Sequence, residues 1–263
     1  MMLKKIASHT WVFENNNYAA EEALDRILDE LSAQSFLSAE TKIDKLLLDF
    51  PEFIDGWVHL AIIYQSTGRK REAYLANREA YRICLNLLPK KFNWNKDKLE
   101  WGFHENRPFL RACFNLALHM IAGKMKDEAV QILENLICVS PHDNLGARYL
   151  LLKTYLLDQN IPAIEILFNK YPDDYSSEFY YGQILLALLQ QDSEAAQDAL
   201  KKARLEFPYI LKELKKKKHT KPSTFDEGYI VAGGKEEAYV YWREFGTLWA
   251  IETANYQFLI ENS

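Results

Sequence analysis

Nearly half of the 263 residues are hydrophobic, and glycine and proline number only 10 and 8, so the chain can build a core and has few enforced helix breaks. The 32 lysines and arginines against 37 aspartates and glutamates leave a formal charge of −5, which gives nucleic-acid binding no support. Three cysteines without a C-x-x-C spacing argue for a reducing compartment and buried structural thiols, and against a disulfide framework.

The first seventeen residues, MMLKKIASHTWVFENNN, carry two lysines but no apolar stretch behind them, and read as no signal peptide. No apolar run is long enough to span a bilayer. The expectation is a soluble, cytoplasmic protein without membrane insertion, delivery into a host cell being the other destination compatible with such a chain. From Ala20 onward, stretches rich in A, E, K, L and Q without β alternation predict helices almost throughout.

An alanine followed twelve positions later by a proline recurs at Ala39 and Pro51, Ala129 and Pro141, and Ala196 and Pro208. Looser copies span sixteen residues at Ala73 and Pro89, and nine at Ala163 and Pro172. This is the signature of a repeat array that gains its core by stacking like units. The predicted helix pairs are 20–33 with 38–50, two within 55–88, 109–122 with 126–139, 144–157 with 161–170, and 177–190 with 193–207. In the second pair, Trp57, Leu60, Ala61 and Tyr64 share one helix face, and Gly68 supplies a left-handed residue to end the helix. Residues 90–108, KKFNWNKDKLEWGFHENRP, form an insertion. Asp192 or Ser193 caps the last helix of the array.

Past Pro208, the lysines Lys215, Lys216, Lys217 and Lys218 mark a basic, solvated linker. Helices are predicted over 235–245 and 247–260, with Gly246 as the break. Their segment carries Tyr229, Tyr239, Tyr241, Trp242, Phe245, Trp249, Tyr256 and Phe258, too many rings to leave in water. The predicted organisation is a helical array over 1–214, with a degenerate first unit at 20–51 and the insertion at 90–108. A linker follows over 215–232, and then aromatic helices over 233–263 docked on the array or on a second copy.

The run W-x-x-L-A-x-x-Y at Trp57 to Tyr64, with Ala73 and Ala80 behind it, resembles the tetratricopeptide repeat family over about residues 20–208. The first unit departs from the family, with Arg26 and Glu30 at positions otherwise apolar, as in a terminal cap. The strings LEWGFHENRPFLR and PHDNLGARYLLL resemble a combination found in a bacterial subgroup of that family. The resemblance implies an all-α solenoid, an α-α superhelix closed by a C-terminal helical segment, that binds a partner protein or peptide in its groove. Carried over by position, the groove would be lined by Asp55, Val58, Ile62, Gln65 and Ser66, then Arg111, Phe114, Leu118, Ile121 and Ala122. Further along stand Leu145, Arg148, Leu152, Tyr155 and Leu156, and Glu178, Tyr181, Leu185, Leu188 and Leu189. The expected partner-binding residues are Arg111, Phe114, Asn115, Leu118, Arg148, Leu152, Tyr155, Tyr181 and Leu185, with the two arginines selecting an acidic group. Val58 and Ile62 stand where a carboxylate clamp would need a lysine and an asparagine, which argues against that mode.

His104, Glu105, Asn106 and Arg107 lie in a row within the insertion. As a catalytic loop they would make the chain an enzyme or enzyme subunit. As a capping arrangement, Asn106 caps the next helix with Pro108 in its first turn while Trp94 and Trp101 cover the insertion. Adjacent residues do not face one point, which favours capping. The six histidines show no ligand spacing, and no nucleotide loop or nucleophile elbow is present. The reading is therefore a non-enzymatic scaffold without cofactor or metal, with self-assembly into a homodimer through the aromatic helices as an alternative.

Overall fold

The computed structural model describes residues 2–14, 17–31, 36–226, 230–251 and 253–262. Ala33 and Tyr229 lie outside the described residues. The chain divides into two compact units, Met1–Arg148 and Tyr149–Ser263.

The first unit opens with an antiparallel hairpin, β1 (Met2–Ala7) and β2 (Thr10–Glu14), in which Lys4 lies opposite Val12 and Lys5 opposite Trp11. The sequence pattern placed no element here. Only five residues, TWVFE, carry the alternation, with Trp11 and Phe13 buried and their neighbours half-exposed. At the turn His9 takes φ 66°, a left-handed conformation that histidine tolerates better than most residues.

Three helix pairs follow: α1 (Tyr18–Glu30) with α2 (Phe36–Asp49), α3 (Ile54–Ser66) with α4 (Lys70–Leu87), and α5 (Arg107–Ala122) with α6 (Lys126–Val139). Ala39, Ala73 and Ala129 are completely buried, as small residues at helix crossings must be. Gly68 takes φ 78° behind α3, the left-handed stop that the repeat pattern requires. The polar residues of the degenerate first unit are absorbed at its surface, where Arg26 pairs with Glu22 and Glu30 with Lys42. Arg69 grips both Glu40 carboxylate oxygens at 2.7 and 2.8 Å, tying α2 to the start of α4.

The insertion ties the hairpin to the helices. The Lys98 amide donates to the His9 carbonyl at 2.6 Å, the Trp11 amide donates to the Lys98 carbonyl at 2.9 Å, and the Leu99 amide reaches the Val139 carbonyl at 2.9 Å. Trp94 stacks on Phe109, with centroids 6.2 Å apart, and Phe109 meets Phe13 at 5.5 Å. Asn106 does precede α5, but its side chain makes no cap bond. Fully buried, its Oδ1 accepts from the Phe13 amide at 3.1 Å, and its Nδ2 donates to the carbonyls of Trp11 and Glu100 at 3.1 and 3.2 Å. One carboxamide thus takes the place of a third strand beside β2.

Helix α7 (Ala147–Leu157) straddles the division between units. The second unit continues with α8 (Ile161–Lys170), α9 (Ser177–Leu189), α10 (Ser193–Glu206), the short α11 (Ile210–Leu214), α12 (Lys235–Ile251) and α13 (Thr253–Glu261). Asp192 caps α10, its carboxylate accepting from the Ala195 amide at 2.9 Å. The expected break at Gly246 is absent, because α12 runs straight through it. A Cβ there would lie 2.8 Å from Trp242 Cδ1, so the glycine makes room for an indole one turn back instead of stopping the helix. Glu213 is buried at the end of α11 and pairs with Lys216 and His219, and the His219 ring stacks on Trp242 at 3.9 Å. Lys217 and Lys218 are exposed.

Two outcomes follow. Asn106→Ala strands buried backbone groups of β2 and should cost about 2–3 kcal/mol in urea unfolding, whereas exposed Glu105→Ala should stay within about 0.5 kcal/mol of the parent. Equal stabilities would show that the hairpin is held by something else. Deleting residues 233–263 uncovers the aromatic side chains beneath α12 and should drive aggregation at micromolar concentration, measured by light scattering. A soluble, equally stable truncation would contradict the packing.

Candidate functional site

In the first unit, α3, α4 and α5 enclose an open cavity of about 370 Å³. Ile62, Gln65 and Ser66 line it from α3, Asn77 from α4, and Asn115, Leu118, His119 and Ala122 from α5. Five of these, Ile62, Gln65, Ser66, Leu118 and Ala122, occupy positions that the repeat resemblance assigns to a groove, and Asn115 adjoins them. Ile62 and Leu118 are 43% and 40% exposed and stand on opposite sides of the cavity lining, on α3 and α5. Phe114 is half-buried.

Arg111 is engaged within the protein. Its Nη2 lies 2.7 Å from both carboxylate oxygens of Asp55, and His59 Nε2 stands 4.0 Å from the same group. Burial holds the His59 imidazole below the ordinary histidine value; Asp55 opposes that shift and Arg111 reinforces it. Arg148 is committed as well, with Nη1 3.0 Å from Asp143 Oδ2 and 2.9 Å from the Asp143 carbonyl. Asp143 also caps α7, accepting from the amides of Ala147 and Arg148 at 2.8 Å each. Both arginines that were expected to choose an acidic partner therefore hold internal carboxylates.

The expected anchors of the second unit are interior. Leu152, Tyr155, Tyr181 and Leu185 are all buried. Tyr181 lies 5.2 Å from the Tyr241 ring and 6.1 Å from Trp249, both on α12, and its hydroxyl accepts from the Leu211 amide at 3.1 Å. Burial pushes the Tyr181 hydroxyl well above its usual range. Leu185 and Leu248 line a void of only about 30 Å³. Leu152 packs against Gly182, where a Cβ would come within 3.0 Å of it.

The insertion residues are not brought together as a reaction centre would need. His104 and Glu105 are exposed, Asn106 anchors β2, and the Arg107 guanidinium sits 5.1 Å over Trp101 while donating to that residue's carbonyl at 3.1 Å. Burial raises the thiols of Cys84 and Cys113, which keeps them protonated and unreactive. Among the described residues no group of three His, Cys, Asp or Glu side chains could hold a metal ion, and no helix is long and apolar enough to cross a membrane.

Asn77 escaped the sequence reading. It is 2% exposed, faces the cavity, and its Oδ1 has no hydrogen-bond partner among the described residues. The signal was present: four residues after the repeat alanine stand Ile43, Leu133, Leu167 and Leu200 in the other units, all buried, and Asn77 alone breaks the series.

Comparison with known proteins places these features in context. A family model described as transcriptional repressor TCF25 matches residues 32–241. Among solved structures, a tetratricopeptide repeat protein from Parabacteroides merdae aligns with a TM-score of 0.56 at 15% identity, covering 93% of this chain and 80% of the other. Kinesin light chain tetratricopeptide-like repeats from Podosopora anserina align at 0.48 and 14%, over 73% and 96% of the two chains. The type IV pilus biogenesis factor PilW aligns at 0.42 and 17%, again over 73% and 96%. The first of these establishes the fold as an all-α, tetratricopeptide-like solenoid. No curated protein matches the chain.

The electrostatics of the first unit make a pH-dependent prediction. A histidine whose folded value lies below 6.5 takes up its proton more readily when unfolded, so stability falls as pH drops from 6.5 toward the lowered value. His119 shifts the same way through burial. Urea midpoints should decline between pH 7.5 and 5.0, and His59→Gln should reduce that decline. An identical pH profile for the variant would refute the assignment.

Proposed function

The chain belongs to the Tcf25 family, and from that premise we propose that it is a protein-interaction scaffold holding a partner protein or peptide against the α3–α5 face of its first unit. The observation that carries this reading is the open, apolar-rimmed cavity, five of whose lining residues (Ile62, Gln65, Ser66, Leu118 and Ala122) stand at groove positions of the repeat resemblance. Concave sites with apolar walls and a few polar groups are where ligands bind. The family's description as a transcriptional repressor supports a role in recruiting another protein. The burial of Cys84 and Cys113, the engagement of Asn106 and Arg107 within the structure and the exposure of His104 support a non-enzymatic reading in a reducing, cytoplasmic compartment.

Arg111 and Arg148 serve internal carboxylates, and Tyr181 and Leu185 are interior. Recognition accordingly rests on Ile62 and Leu118 as apolar anchors, with the neutral polar groups between them. Interfaces of this kind concentrate their energy in few residues.

The test is a paired substitution. Ile62→Glu with Leu118→Glu should weaken an identified partner by about 2 kcal/mol or more, roughly thirty-fold in Kd by calorimetry, with helicity unchanged. Unchanged affinity for the same partner would remove this face from the interface.

A further inference from the structure

Beside the cavity, one repeat breaks the pattern that the other four keep. Ile43, Leu133, Leu167 and Leu200 fill the buried position four residues after the repeat alanine, and an asparagine there supplies a shorter, polar side chain. A buried carboxamide oxygen without a partner costs stability, on the order of 1–3 kcal/mol, so a donor that completes its hydrogen bond would recover that energy on binding. Asn77 is 98% removed from solvent, and its Oδ1 has no partner among the described residues.

The chemistry of the surroundings narrows what that group is. Gln65, Ser66, Asn115 and His119 share the lining with Asn77, and none of them is a charged side chain at neutral pH. His119 is held below the ordinary histidine value by burial, which favours its neutral form. A carboxylate, phosphate or ammonium entering here would lose its hydration with no opposite charge to meet it. The lining contains no Phe, Tyr or Trp, so a nucleobase finds no aromatic ring on which to stack. A carboxamide edge presents one donor and one acceptor side by side. Among the peptide side chains that are neutral at pH 7, the one that offers an acceptor and a donor side by side is another primary carboxamide. A trans peptide group directs its N–H and C=O to opposite sides, and an indole offers a donor alone.

We propose that the α3–α5 cavity is a specificity pocket for a glutamine or asparagine side chain of a partner peptide, paired edge to edge with the Asn77 carboxamide while Ile62 and Leu118 cover its aliphatic stem. This rests on the scaffold reading above and names the chemistry that the same face selects. A site built to satisfy a polar group discriminates strongly against analogues that lack it.

The probes are N-acetyl-glutamine N-methylamide, the corresponding glutamate and leucine compounds, and adenosine, each titrated into the 15N-labelled full chain by NMR. The glutamine compound should shift the Asn77 side-chain NH2 resonances saturably and bind at least fivefold more tightly than the other three. Asn77→Leu, which restores the pattern of the other repeats, and Asn77→Ala should both abolish that preference. Equal binding of the glutamine and leucine compounds, preference for glutamate or adenosine, a glutamine preference that survives both variants, or no saturable shift would each overturn the proposal. Partner binding that remains sensitive to Ile62→Glu with Leu118→Glu but indifferent to Asn77→Leu would overturn the pocket assignment alone and leave the scaffold reading standing.

Discussion

The structure depends on a small side chain at the point where paired helices cross. Ala39, Ala73, Ala129 and Ala196 are all completely buried. A methyl group lets the partner helix approach until the larger side chains on either side interlock, and interiors packed to that density tolerate added volume poorly, at a cost of about 1–3 kcal/mol. Everything else in the chain is arranged around this repeated crossing. The insertion and the hairpin cover one part of the first unit, and α12 covers aromatic side chains of the second.

Because like pairs recur, differences between them stand out as information. In the second unit, Tyr181 is sealed beneath Tyr241 and Trp249 of α12, which answers the need of that aromatic segment to leave water. In the first unit, Ile62 and Leu118, which correspond by repeat position to the buried Leu152 and Leu185, remain open around a cavity.

Much of this was legible in the residues. The helix bounds 126–139 and 161–170 agree with α6 and α8 to the residue, because a proline just past each end closes a clear 3.6-residue period and Asn160 caps the start of α8. The left-handed stop at Gly68 and the cap at Asp192 followed from local chemistry. The hairpin did not, because its stability is not local: Asn106, more than ninety residues away in sequence, supplies the hydrogen bonds that β2 lacks. Gly246 misled for a similar reason, since its role is set by the Trp242 indole above it. At the site, Ile62, Gln65, Ser66, Leu118 and Ala122, grouped by position within the repeat, line one cavity, whereas the surroundings of Arg111, Arg148 and Tyr181 were decided by partners that no spacing reveals. Asn77 was readable only by aligning the five units against one another.

The contrast between an open face on the first unit and a tail-covered one on the second can be measured directly in the intact protein. With Ile and Leu methyl groups labelled, a soluble nitroxide broadens only the signals that it can approach. The account predicts strong broadening of Ile62 and Leu118, with Leu152 and Leu185 remaining sharp. Leu152 and Leu185 broadened as strongly as Ile62 and Leu118 would contradict it.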